Sequence, residues 1–264
     1  MENSTNVAKI ETELSTIDNI TQNDYSKVGL NVYQIYPATI MYPLTGFSSA
    51  ALSEQFLSLI DPGISQSWTS FNVGPLYPKP FNIYTTTNIG MRFVDIEFIN
   101  SVGNLEKVSS VPITNSDSTS ITNIVNINRI TWSDDAVNNN IPFTTVLYAK
   151  DSSGNYRYRI STDLGSGSCI ITIPNNYIGI ISDLYWRSGT NHPGCKMIVK
   201  DSNNNIKATR LINYATHTDI KFYGVEALKY PLYPGDSVFF ASVAVNTTPD
   251  FLRIVHAMVT LTPY

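Results

Sequence analysis

The chain has 264 residues, with 17 Lys and Arg against 21 Asp and Glu, a formal net charge of −4 and only 14% charged residues. Hydrophobic residues make up 42% and aromatics 11%, including 16 tyrosines, which excludes a disordered chain. The acidic balance excludes the electrostatic footprint of a protein whose main partner is nucleic acid.

The length stands slightly past the size at which one core stops growing, so two packed domains, or one large β domain with an appendage, are expected. Polarity is carried by Asn, Ser and Thr rather than by ions, as suits a surface partly covered by neighbours or a neutral hydrogen-bonding face.

Residues 1–24 form the one helical-looking segment of any length. Val7, Ile10, Leu14 and Ile17 make an a/d seam, with Ser4 or Thr5 available as N-cap. Two heptads do not hold together alone. The seam therefore either lies on the chain's own domain or acts as a stalk or docking arm, and these four residues are the candidate assembly contacts. Met1–Thr5 has neither a basic nor an apolar signal-peptide region, and no run of 18 apolar residues occurs, so the expectation is synthesis in the cytoplasm and no transmembrane segment. The sequons at Asn3, Asn19 and Asn246 carry little weight without a secretory route.

From Tyr25 to Pro80 proline follows aromatic residues repeatedly, at Tyr36-Pro37, Tyr42-Pro43 and Tyr77-Pro78. Proline lacks a donor and holds its predecessor extended, which predicts wandering segments rather than central strands. A short helix is expected over 51–60, where Leu52, Phe56, Leu59 and Ile60 share a face before Asp61-Pro62-Gly63.

Beyond Pro80, strands are predicted at 81–86, 91–100, 105–113, 121–132, 143–150 and 156–161. After the loop 163–168 they continue at 169–173, 177–187, 196–200, 206–212, 219–225, 237–245 and 251–262. This density predicts an all-β protein, an antiparallel β-sandwich or jelly roll. It is read as two tandem β domains behind a short helical or extended arm: an arm at 1–45, a first β domain at 46–165 and a C-terminal sandwich at 166–264.

Two hairpins share Lys-Asp-Ser, with turns Asp151-Ser152-Ser153-Gly154-Asn155 and Asp201-Ser202-Asn203-Asn204-Asn205, each preceded by a tryptophan, Trp132 or Trp186. They occupy equivalent places in two sandwiches or are neighbours in one sheet.

Their acidic and amide residues resemble the opening of a calcium loop but lack its glycine and closing glutamate, so Asx-turn chemistry is expected instead. Asp95 and Glu97 alternate on one strand. A glycosidase could use such a pair across a cleft, but a solvated face explains it more simply.

His192, His217 and His256 show no ligand spacing, and Gly165-Ser166-Gly167-Ser168 is not a nucleophile turn. Cys169 and Cys195 match no zinc pattern and read as core thiols, a disulfide remaining open if their strands adjoin. No enzyme activity, cofactor or metal is expected.

With these residues placed, the chain resembles jelly-roll or β-sandwich virion structural proteins (capsid, penton, decoration or fiber type) of bacterial or archaeal viruses. The resemblance covers mainly residues 120–264. It rests on the N-terminal arm, the low charge, Tyr185-Trp186-Arg187-Ser188-Gly189, the Lys-Asp-Ser hairpin and the turn Pro234-Gly235-Asp236. It implies a homo-oligomeric capsid or capsid-associated subunit located in the virion, with itself and other virion proteins as partners. It transfers no site residue. The alternative is a receptor- or carbohydrate-binding module of a viral fiber or tail tip, with exposed tyrosines as the contact face.

Overall fold

The computed structural model describes residues 40–48, 72–85, 88–114, 119–134, 138, 141–142, 145–160, 167–187, 195–212, 219–223, 230–242 and 253–264. Val7, Ile10, Leu14 and Ile17, and the helix expected over 51–60, lie outside these residues. Most of the described residues, within 41–262 and with Tyr264, form one compact unit.

The described residues form an all-β sandwich of two sheets. Its strands are β1 (Ile40–Ser48), β2 (Lys79–Thr85), β3 (Arg92–Asn100), β4 (Leu105–Ile113), β5 (Thr119–Trp132), β6 (Leu147–Asp151), β7 (Tyr156–Ile160) and β8 (Gly167–Ser168). They continue as β9 (Ile170–Thr172), β10 (Tyr177–Arg187), β11 (Cys195–Lys200), β12 (Ile206–Ile212), β13 (Asp219–Tyr223), β14 (Ser237–Ser242) and β15 (Arg253–Pro263).

An 11-stranded sheet runs in the order β13-β10-β15-β1-β8-β7-β6-β2-β5-β3-β4, and a 4-stranded sheet in the order β12-β11-β14-β9. The strands predicted after Pro80 agree in place with β2–β7 and β9–β15, because alternation with turn punctuation is a local signal, whereas the two-residue β8 falls in the expected loop 163–168.

The large sheet rolls over on itself. The hydroxyl of Tyr158 on β7 donates to the Ile130 carbonyl on β5, and that of Tyr42 on β1 donates to Glu97 on β3, joining strands far apart in the hydrogen-bonding order. Inside the roll lies a core built from Phe81, Ile83, Val94, Ile96, Phe98, Ile124, Ile127, Ile130, Leu147 and Tyr158. Trp132 packs partly buried against it.

Two bulges aim β5 into that core. Glu97 pairs with Arg129 but Phe98 with Ile127, and Ile99 with Asn126 but Asn100 with Ile124, so Asn128 and Val125 are each passed over. Ile124, Ile127 and Ile130, three residues apart, thereby all point inward, which strict alternation forbids.

The segment around Pro43 corrects an expectation. β1 stands inside the large sheet between β15 and β8 rather than wandering over its surface. Proline is tolerated there because the ladder toward β8 is reduced to the single parallel pair Leu44↔Ser168, so little donor capacity is lost. A Cβ at Gly167 would stand 2.7 Å from the Pro43 carbonyl oxygen, so only glycine lets the two backbones approach this closely.

The two Lys-Asp-Ser hairpins lie in different sheets, β6–β7 in the large and β11–β12 in the small. Residues 161–166, in the loop between the expected domains 46–165 and 166–264, fall outside the described residues.

Candidate functional site

The acidic side chains that could carry chemistry are each engaged by structural partners. Asp95 accepts from the Ser133 hydroxyl and from the Ser110 N–H at 3.1 Å, and Lys107 lies 3.2 Å away. The Ser133 bond, followed by that from Ser110, holds this carboxyl below the usual range. Glu97, two residues on, accepts from Tyr42 at 2.9 Å and lies 3.8 Å from Arg129, whose guanidinium sits 4.9 Å over the Tyr42 ring. Burial, followed by the Glu97 charge, raises the Tyr42 pKa. The two carboxylates are thus held by separate sets of partners.

The hairpin turns repeat one arrangement. Asp151 Oδ1 accepts from the N–H groups of Ser153 and Asn155, both at 2.9 Å, and Asp201 Oδ1 from those of Asn203 at 2.9 Å and Asn205 at 2.8 Å. The fourth turn residue is left-handed in each, Gly154 at φ 88° and Asn204 at φ 69°. N–H donors thus take up the carboxylates, the Asx-turn chemistry expected of these residues.

The copies differ in surroundings. Asp151 is buried and paired with buried Arg157 at 2.6 Å. Burial alone would raise its pKa, but Arg157 and the Asn155 donors outweigh it and hold the carboxyl low. In the other copy Asn204 accepts from Val73 N–H and from buried Lys200, both at 3.3 Å, fixing the turn onto the segment before β2.

Cys169 is a buried thiol pushed up to about 12 by burial, which makes it inert. His256 lies with Nδ1 2.7 Å from the Thr45 hydroxyl, stacks on Tyr185, and is held below its ordinary pKa by burial. His192, His217 and the side chain of Cys195 lie outside the described residues. Among the described residues no helix is long and apolar enough to cross a membrane.

What distinguishes the surface is how the sheets end. A strand edge exposes a row of unpaired N–H and C=O groups and is a template for another chain unless blunted. β4 is blunted: it carries Glu106 and Lys107, and it bulges where Ser110 adopts φ 54° opposite Asp95.

β9 is covered by side chains of β5. Asn128 Nδ2 donates to the Thr172 carbonyl at 3.1 Å, while its Oδ1 accepts the Thr172 N–H at 3.4 Å, so the amide stands in for a neighbouring strand. Asn126 donates to the Ile170 carbonyl. Both asparagines are buried. Two buried amides in the apolar run Ile124-Val125-Asn126-Ile127-Asn128 were the sequence signal for this contact, and the reading of strand pattern alone passed over it.

β12 is not covered by side chains in the way β9 is among the described residues, although it bulges at Lys207, which is passed over between the pairs Val199↔Ala208 and Lys200↔Ile206. It is the last strand of the small sheet, and from Ile206 to Leu211 only Ala208 is half-buried, the rest being exposed. Ile206 is 50% and Leu211 57% exposed. Its charges are tied inward: Lys207 binds both Asp236 oxygens, at 2.8 and 2.7 Å, and lies 5.0 Å over the Tyr233 ring, and Arg210 stands 5.9 Å over Tyr230. Asp236 also accepts the Tyr233 N–H at 2.9 Å within the Pro-Gly-Asp turn, so the turn orients both the ion pair and the half-exposed tyrosine. The result is an open β edge with apolar ends beside a tyrosine, a surface suited to contact rather than to catalysis.

These features define a two-sheet β protein with an exposed strand at the end of its small sheet. No family model matches the sequence, and a search of curated proteins returns no match. Among solved structures the chain is similar to the structure of the infectious bursal disease virus Gt strain, at TM-score 0.24 and 10% identity over 86% of this chain and 73% of that one. It is likewise similar to the infectious bursal disease virus VP2 subviral particle, at TM-score 0.22 and 9% identity over 85% of this chain and 72% of that one. At such scores neither fold nor function follows from the likeness.

Proposed function

We propose that the protein is a non-enzymatic structural subunit of a virion, a capsid or capsid-associated component, which assembles through its N-terminal arm and the faces and edges of its β-sandwich. The observation that carries this reading is the β12 edge, exposed from Ile206 to Leu211 except at Ala208, while β9 at the other end of the same sheet is covered by buried amides. Folded proteins manage their edges, so an edge left open in a molecule that closes others serves association. Asp95, Glu97, Asp151 and Asp236 are consumed by structural bonds, in keeping with a role other than catalysis.

The arm of residues 1–45, with Val7, Ile10, Leu14 and Ile17 as its contacts, is the second anchor. Deleting residues 1–24 will abolish incorporation into particles without unfolding the rest, read by particle sedimentation beside circular dichroism of the free chain. Normal incorporation of the truncated chain would contradict the role of the arm.

A second reading, receptor or glycan binding at a fiber or tail tip, is favoured by Tyr233. Its ring is 47% exposed and flanked by Lys207, an arrangement in which a sugar could stack and hydrogen-bond. Glycan-array signal lost in Tyr233→Ala would support it, and an array without signal would count against it.

A further inference from the structure

We propose that the turn Tyr233–Asp236, with the neighbouring turn Asp201–Asn205, forms a binding site for a neutral pyranose, which stacks its C–H face on the open side of the Tyr233 ring. The inference rests on the receptor reading above and names the ligand class of that same site.

The ring stands on a preformed backbone. Leu232, wholly buried, exchanges two backbone bonds of 2.8 Å with Gly179. Next to it the Tyr233 N–H donates to Asp236 and the Asp236 N–H to the Tyr233 carbonyl, both at 2.9 Å. Gly235 donates to the Ile173 carbonyl at 2.9 Å, and Ile173 donates back to the Asp236 carbonyl at 2.8 Å, which ties the turn to the end of β9. A tyrosine on so fixed a backbone has only its side-chain torsions left to lose, so little ordering opposes contact.

One side of the ring is taken. Lys207 Nζ stands 5.0 Å from its centroid and is held there by both Asp236 oxygens, at 2.8 and 2.7 Å. The residue is nonetheless 47% exposed, which leaves its other side to solvent. The face of an aromatic ring is its negative region and attracts the weakly positive C–H groups on the apolar face of a pyranose.

The polar groups that sugar hydroxyls need stand alongside. Ser202 fits against the turn because residue 235 is glycine: a Cβ there would lie 3.2 Å from the Ser202 Cβ and 3.7 Å from its hydroxyl oxygen. Asn203, exposed, follows Ser202, and its N–H is fixed on Asp201 at 2.9 Å. The Ser202 hydroxyl, the Asn203 amide and the phenol hydroxyl thus bring donors and acceptors without charge to one end of the small sheet.

Charge selects a neutral sugar over an acidic one. Lys207, the cation at the ring, is consumed by Asp236, and Lys200 is buried. A carboxylate or sulfate on the ligand therefore finds no cation at this ring left to pair with among the described residues. One ring and a few exposed hydrogen bonds leave little surplus over the cost of association, so the dissociation constant is on the order of millimolar.

Saturation-transfer NMR on the full-length chain tests this, with methyl β-galactopyranoside and a methyl sialoside as probes. Saturation will reach the C–H protons on the apolar face of the galactoside and will be weaker on the sialoside. Tyr233→Ala will lower the galactoside signal about fivefold, the loss expected of one aromatic contact, while Tyr233→Phe will keep most of it. Tyr264→Ala, at another exposed tyrosine, will leave it unchanged.

Galactoside saturation that survives Tyr233→Ala would overturn the site. Sialoside saturation equal to or stronger than that of the galactoside would overturn the neutral class. No saturation of either probe by the wild-type chain would overturn the inference as a whole. In that case a glycan-array signal that still depends on Tyr233 would leave the receptor reading standing, and an array without signal would sink both.

Discussion

At the scale of residues, stability rests on a few buried polar groups that have no replacement. Asn128 supplies both a donor and an acceptor to Thr172. Asn128→Ala leaves two backbone groups of β9 unpaired in a dry interface, which costs on the order of 2–4 kcal/mol, at about 1–3 for each buried orphan reduced by partial solvation. The urea midpoint will fall accordingly, while Asn128→Ala in the unfolded chain changes nothing. Gly167→Ala forces a methyl against the Pro43 carbonyl, a backbone atom that cannot swing away, and will destabilise by about 1–3 kcal/mol in the same measurement.

Asp151→Ala removes the buried carboxylate paired with Arg157 together with its turn bonds and will cost roughly 3 kcal/mol. Asp201→Ala, in the more open copy of the turn, removes only turn bonds and will cost about 1 kcal/mol.

The same carboxylates set the acid limit of the fold. Asp95, Asp151 and Asp201 have folded pKa values below their ordinary ones. A depressed carboxyl contributes stability that is whole above the unfolded value of about 3.9 and is lost as pH falls through the folded value. The denaturation midpoint will therefore be flat with respect to these groups near neutrality and will drop below about pH 4. Asp151→Asn will flatten that drop, and an equal drop in the variant would contradict the assignment.

Among elements, alternation and turn chemistry made most strands legible. β3, β4, β11 and β12 stand where hydrophobic alternation and the Asp-Ser turns put them. What alternation does not encode is a change of phase. The bulges at Val125 and Asn128 turn a period of two into a period of three, and no local signal besides the interrupting asparagines announces them.

Pro43 misled for the opposite reason. A local rule about donors predicted an exposed segment, but the neighbouring β8 is too short to need the missing donor, a fact that belongs to residues more than a hundred positions away. Asp95 and Glu97 were legible as sharing a face. Their commitment to Ser133 and Tyr42 depends on the rolling of the sheet, which only long-range pairing decides.

The contact edge was half legible: the β12 hairpin was readable, whereas its place at the end of a sheet was not, because strand order is not a property of the strand.

For the molecule as a whole, two sheets from one compact unit meet where Asn126 and Asn128 close β9, and they leave β12 open on the far side of the small sheet. A sandwich that covers one edge of a four-stranded sheet with buried amides and leaves the other with exposed isoleucine and leucine has a direction in which to grow.

Static light scattering of the purified full-length chain across a concentration series tests this most directly. The mass will rise above the monomer's 29.3 kDa as concentration increases. A mass that stays at 29.3 kDa throughout would contradict the account.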